Sequence, residues 1–230
     1  MRSNAKIKKR DEIMRIKKID WTNHLIELVV VFIGITLAFM LNNWRESYKD
    51  HELRNKYLAS FYSDIQGDHL QLDTLIRQET ERLDQVGRLL TLLQEKKYQN
   101  DSVLIILSQM ASFNPFNQNV VTYESIKNSG NLSLISDYNL RQKLIGYYQQ
   151  LEDKRLIEGV YFDYFNKYII PFVMTSLDLQ QQKFVDPGVI RSVKFRNIVG
   201  GSYQLLRQNL DFYQTVYQKS EELLTELKDR

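Results

Sequence analysis

The stretch ELVVVFIGITLAFMLNNWRE, Glu27 to Glu46, decides how the chain must be read. Its 14 residues from Leu28 to Leu41 carry no charge, and as a helix they cover only about 21 Å. A run of that length alone suits a core helix or the apolar part of a signal peptide. The flanks point elsewhere. Leu25 and Ile26 extend the apolar stretch to 17 residues, with Glu27 as its one charged interruption. Trp21 and Trp44 then stand roughly 35 Å apart along a helix, about the separation of the two membrane interfaces that tryptophan favours. A helix lying in the membrane surface needs a polar face, yet between residues 28 and 41 only Gly34 and Thr36 depart from bulky apolar character. Ala38-Phe39-Met40-Leu41-Asn42 offers bulky residues where a secretory cleavage site wants small ones. Residues 21–44 therefore read as an uncleaved signal anchor, a single transmembrane helix whose first partner is the lipid bilayer.

The charge pattern orients it. Residues 1–20 hold eight Lys/Arg against three Asp/Glu, a net +5, while the other 210 residues carry −2. By the positive-inside rule the basic tail stays in the cytoplasm and residues 45–230 lie outside, in the periplasm of a bacterium with an inner membrane. A near-neutral remainder lacks the broad basic face that nucleic acid requires, so no nucleic-acid partner is expected. The chain has no cysteine, which excludes disulfides and thiol catalysis and removes the usual ligands of structural zinc.

Within the anchor, Glu27, Val31, Gly34, Ala38 and Leu41 recur at spacings of four and three along one helical stripe. Gly34 and Ala38 form a small-xxx-small pair that lets a second helix approach closely. These five residues are the candidate helix-packing positions, with Trp21 and Trp44 as interface anchors. Glu27 lies about 9 Å in from Trp21, within reach of the cytoplasmic interface.

Only three prolines and nine glycines interrupt the whole chain, and helix formers abound, so an all-α fold with little or no sheet is expected. The anchor continues into a stalk, with Leu53, Tyr57, Phe61, Ile65, Leu72, Ile76, Leu83, Val86, Leu90 and Leu93 at helical spacing and a bend expected near Gly67-Asp68. A short helix follows from Asp101 to about Ser112, ended by Pro115. TYESIKNSGNLSLIS, Thr122 to Ser136, reads as a structural corner: Thr122 as N-cap, one or two turns to Asn128, Gly130 in the left-handed C-cap position, and Leu132, Leu134 and Ile135 turned into the core. A third long helix, begun by Ser136-Asp137, carries Leu140, Leu144, Tyr148, Leu151, Tyr161, Tyr164 or Phe165, and Tyr168 on its buried side until Pro171. The last helix runs from about Ile190 to Lys228, its stripe of Val199, Tyr203, Leu206, Leu210, Tyr213, Tyr217, Leu224 and Leu227 completed by Ser220. These elements predict an extracytoplasmic bundle of three long and one or two short helices.

Chemistry is hard to find. Histidine occurs only at positions 24, 51 and 69, and no nucleophile elbow, zinc-protease, phosphate-loop or dinucleotide motif is present. Asp64, Asp68, His69 and Asp73 occupy two adjacent helix faces that do not converge on one ion and belong, by their charge, on a solvated side. No catalytic residue, metal or cofactor is expected.

The patches HLIELVVVFIGITLAFMLNNWRE and TYESIKNSGNLSLISDYNLRQKLIGYY together resemble a family of small single-pass inner-membrane proteins of unknown function, abundant in Bacteroidota. Its pattern is matched at Glu27, Gly34, Asn42, Asn43, Trp44, Tyr123, Glu124, Ser129, Gly130, Leu132 and Ile135, while Ile26 stands where a glycine is common. The resemblance implies this topology and a helical fold without supplying an activity. The expectation is a non-enzymatic, membrane-anchored protein that contacts another membrane protein or a second copy of itself through its span and periplasmic bundle, as an accessory subunit of a larger complex. The alternative is a periplasmic sensor that binds a small ligand and signals through the span.

Overall fold

The computed structural model describes residues 21–97, 100–112 and 114–228, so the basic tail lies outside the described residues. The fold is all-α. The helices are α1 (Trp21–Glu95), α2 (Asn100–Met110), α3 (Val121–Asn128), α4 (Tyr138–Tyr164), α5 (Ile170–Ser176) and α6 (Val193–Lys228). Single 3-10 turns occupy Asn131–Leu134 and Pro187–Arg191. Packing divides the chain into a first unit ending at Glu52 and a second beginning at Leu53.

In the first unit α1 is helical with its apolar side chains exposed. In the second, α1 is the first helix of the bundle, continuous through Gly67-Asp68. Its inward positions repeat at four and three: Phe61, Ile65, Asp68, Leu72, Leu75, Glu79, Arg82, Val86, Leu89 and Leu93 are all buried. Lys96 ends it in the left-handed conformation (φ 58°) usually taken by glycine, and Lys97 N–H closes on the Leu92 carbonyl at 3.0 Å.

Two apolar clusters fill the bundle. One joins Phe61, Ile65 and Leu72 of α1 to Tyr123 and Ile126 of α3, Leu144 to Leu151 of α4, and Tyr213 to Leu227 of α6. The other joins Val86 to Leu93 to α2, Tyr161, Phe172 and Phe195 to Leu206. Burial of this apolar area is the main source of stability.

Several local expectations hold and others need correction. Asp137 caps α4 by accepting from Leu140 N–H at 3.1 Å, and Gly130 takes φ +73° past the end of α3. Before Pro171 the helix widens into a π turn, Phe165–Ile169, with Ile170 N–H donating to Phe165 five residues back. The proline then falls in the first turn of α5, where its missing N–H costs nothing. Thr122 does not cap α3: the helix starts one residue earlier and Thr122 is buried. Tyr168 is 41% exposed rather than on the buried side, because the π turn shifts the helical register at this point, and Phe162 ahead of the turn is 50% exposed. The final helix begins at Val193, since Asp186 and Pro187 set a 3-10 turn over Ile190. The polar connection before it contains one small antiparallel pair, Leu177–Asp178 with Lys183–Phe184.

Candidate functional site

The α1 segment from Asn23 contains an 18-residue window of mean hydropathy 2.4, none of it buried. Trp21 is 78% and Trp44 72% exposed at its two ends. Glu27, Val31, Gly34, Ala38 and Leu41 all face outward, and a Cβ added at Gly34 would meet nothing within 4 Å. Thr36 returns its hydroxyl to the Phe32 carbonyl at 2.8 Å, so the one hydroxyl of the run is satisfied within the helix. Glu27 Oε2 lies 3.3 Å from His24 Nδ1, a polar pair near the start of the apolar stretch. One helix long and apolar enough to cross a membrane is therefore present among the described residues.

A second concentration of polar groups lies inside the bundle. The carboxylates that belonged on a solvated side do not all sit there: Asp68 is fully buried. It accepts from Asn119 N–H at 2.8 Å, Asn119 Nδ2 at 3.0 Å and the Tyr147 hydroxyl at 3.0 Å. Asp64 Oδ2 accepts from Thr122 N–H at 3.4 Å. One of the amides left over at the start of α3, that of Thr122, is thus taken up by Asp64 of α1, while Asp68 one turn further on holds Asn119 just ahead of the helix. Burial pushes the Asp68 carboxyl up to about 6, against the pull of Asn119 and Tyr147, whose donors favour the charged form. Burial and the neighbouring Asp68 charge push the Tyr147 phenol up as well, so it stays protonated and donates.

The segment between α2 and α3 is held all along by such contacts. Asn117 N–H donates to Gln71 Oε1 at 3.3 Å and Asn114 Nδ2 to Gln78 Oε1 at 3.3 Å. Phe116, fully buried, gives its N–H to Glu158 Oε1 at 3.1 Å, and its carbonyl accepts from Lys154 Nζ. Lys154 also donates to Gln118 Oε1 at 2.7 Å and pairs with Glu158 at 3.3 Å, while Tyr213 donates to Glu158 at 2.7 Å. Glu79 and Arg82, both buried, pair at 2.8 Å, and Arg82 donates to Ser112 Oγ at 3.1 Å. Glu79 and Arg82 of α1, Lys154 and Glu158 of α4 and buried Asn209 of α6 fall, along their helices, between buried residues of the first apolar cluster and those of the second, as a polar layer. A buried charge is tolerated only when paired and hydrogen-bonded: the backbone of Phe116 and Asn119 serves Glu158, Lys154 and Asp68, while Glu79 and Arg82 pair with each other.

Asp68 and Tyr147 are both sealed from solvent, and their hydrogen bond, with the two from Asn119, ties α1 and α4 to residues 114–119, the strap that leads from α2 to α3. His69 is occupied too, 2.8 Å from Ser220 Oγ and stacked on Tyr217 at 4.1 Å. Among the described residues no three His, Asp or Glu side chains gather as a metal site. The exposed Ser125, Lys127 and Asn128 lie on α3 and Ser129 just past its end, and none of them enters the layer.

Residues 27–191 match the model of DUF6090, a family of unknown function. The chain belongs to that family. The DUF6090 match begins at Glu27, inside the apolar segment, takes in the strap, the Tyr123-Glu124 turn and α4, and ends where the 3-10 turn precedes α6. No curated protein and no solved structure matches the chain.

Proposed function

We propose that this DUF6090 protein is a single-pass inner-membrane protein whose residues 21–44 span the bilayer, N-terminus inside, and whose periplasmic bundle acts by contact with other proteins. The observation that carries this reading is the solvation of the apolar helix: a run of mean hydropathy 2.4 with none of its window buried has no place in water. A core helix of the same composition would be covered by neighbours. The net +5 of residues 1–20 supplies the orientation.

The role is non-enzymatic, that of an accessory subunit. The outward stripe of Val31, Gly34, Ala38 and Leu41 suits close packing against a second helix, and Glu27 offers an acceptor to a polar group of that helix. The partner is another membrane protein or a second copy of the chain. Gentle extraction of the tagged full-length protein from its own membranes, followed by native sizing and mass spectrometry, tests this. A stoichiometric partner or homo-oligomer, lost in Gly34→Leu, is the expected result; a lone monomer contradicts it.

A further inference from the structure

A cleft of about 530 Å³ opens between α3 and α4, within residues 118–156. Its apolar wall is Val120, Leu151 and Leu156, the last 74% exposed. Tyr123 and Tyr148 add a stacked pair, ring centroids 4.4 Å apart and planes within 5°. Two carboxylates, Glu124 of α3 and Glu152 of α4, complete the lining with Gln118. The buried Tyr148 hydroxyl has no hydrogen-bond partner among the described residues.

The chain's own ammonium marks what this combination attracts. Lys127 Nζ stands 5.5 Å from the centre of the Tyr123 ring, 3.9 Å from Glu124 and 4.0 Å from Glu152. A cation over an aromatic face and between two carboxylates is favourably placed on both counts. It nevertheless stands beyond hydrogen-bond distance of either carboxylate, and among the described residues neither the Glu124 nor the Glu152 carboxylate accepts a hydrogen bond. A free ammonium can approach more closely. The volume suits a small ligand, and the apolar wall suits a hydrocarbon body attached to the charge.

We propose that the α3–α4 cleft is a binding site for a small organic monocation, a protonated amine or quaternary ammonium with an apolar body, which displaces Lys127 from between Glu124 and Glu152. The site goes beyond the anchoring role and stands independently of it, since every residue involved belongs to the bundle.

The test uses the full-length protein in nanodiscs of phosphatidylglycerol, with 2-phenylethylammonium as probe and 2-phenylethanol as its uncharged counterpart, read by saturation-transfer NMR against empty nanodiscs. Saturable binding of the amine, at least about tenfold tighter than of the alcohol, is expected. Lys127→Met should tighten amine binding several-fold by freeing both carboxylates, and Glu124→Gln/Glu152→Gln should weaken it about tenfold. These side chains are about half exposed, so circular dichroism should report unchanged helix content in all variants. Added phosphatidylethanolamine carries the same ammonium on a lipid: competition assigns the site to a headgroup, no competition assigns it to a free amine, and both support an ammonium site. Signals no larger than those of empty nanodiscs for both native protein and Lys127→Met overturn the proposal. So does amine binding that the carboxylate variants leave unchanged.

Discussion

Tyr147 donates its hydroxyl to Asp68 Oδ2 at 3.0 Å across 79 residues of sequence, joining the helix that begins at Trp21 to the centre of α4. The same carboxylate receives two donors from Asn119, so one buried group fixes α1, α4 and the strap that leads into α3. Truncation to Asp68→Ala leaves three donors without an acceptor and should cost roughly 3 kcal/mol of stability, measured by denaturant unfolding. Asp68→Asn keeps an acceptor of the same shape and should cost far less.

The pH dependence of Asp68 has a definite sign. Its carboxyl titrates near 6 in the fold against an ordinary 3.8, so the folded state binds the proton more tightly than the unfolded state does. The resulting stability is fully present below about pH 4 and is lost as pH rises through about 6, a change on the order of 2–3 kcal/mol. Burial raises Glu79 in the same direction, so the contribution of Asp68 is read as native minus Asp68→Asn. That difference should favour the native chain increasingly as pH falls from about 7 to 4. Tyr147→Phe removes a donor to the charged form and should move the transition to higher pH.

Glu79 and Arg82 form the other decisive pair, one turn apart on α1 with both side chains buried. Removing one partner strands a charge in the polar layer, so Arg82→Leu should destabilise by about 3–5 kcal/mol. Glu79→Leu/Arg82→Leu should cost less than the sum of the single changes, because the stranded charge goes with its partner. Equal or additive losses in the unfolding cycle would contradict the pairing.

Gly201 lets α6 lie against the end of α4. A Cβ there would run into the Tyr164 hydroxyl and come within 2.6 Å of its Cζ, while that hydroxyl donates to the Ile198 and Asn197 carbonyls at 3.0 and 3.1 Å. The whole ring would have to move and its hydrogen bonds lengthen. Gly201→Ala should therefore lower stability by about 1–3 kcal/mol despite the helical gain of alanine, whereas Gly146→Ala, which meets nothing within 4 Å, should raise it slightly. Thermal melts of the two variants side by side check the contrast.

Much of this fold was legible because period and capping chemistry are local. The 4-3 apolar spacing foretold α1 and α6, and Asp137 and Gly130 marked the helix ends they occupy. The buried polar groups were not legible, although a trace of them was there: Asp68, Glu79 and Arg82 fall on the same 4-3 seam as Phe61, Ile65, Leu72 and Val86. Charge sent Asp68 to the solvent side, yet the partners that permit its burial, Asn119 and Tyr147, lie 51 and 79 residues away. Local sequence cannot announce partners at that distance. The same holds for Thr122, whose N–H is taken by Asp64 from another helix, and for the α3–α4 cleft, whose lining brings together Tyr123 and Tyr148 from two helices. The exposed face of residues 21–44, by contrast, was written in composition alone.

In the proposed topology residues 21–44 cross the membrane and leave the bundle outside the cytoplasm. Alkaline phosphatase fused after Arg230 in the full-length chain measures this directly in cells, because the enzyme folds to activity only beyond the inner membrane. High phosphatase activity, abolished when Ile33 and Ile35 are both replaced by Asp to break the span, is the predicted result. A stable, membrane-bound fusion that stays inactive would contradict this topology.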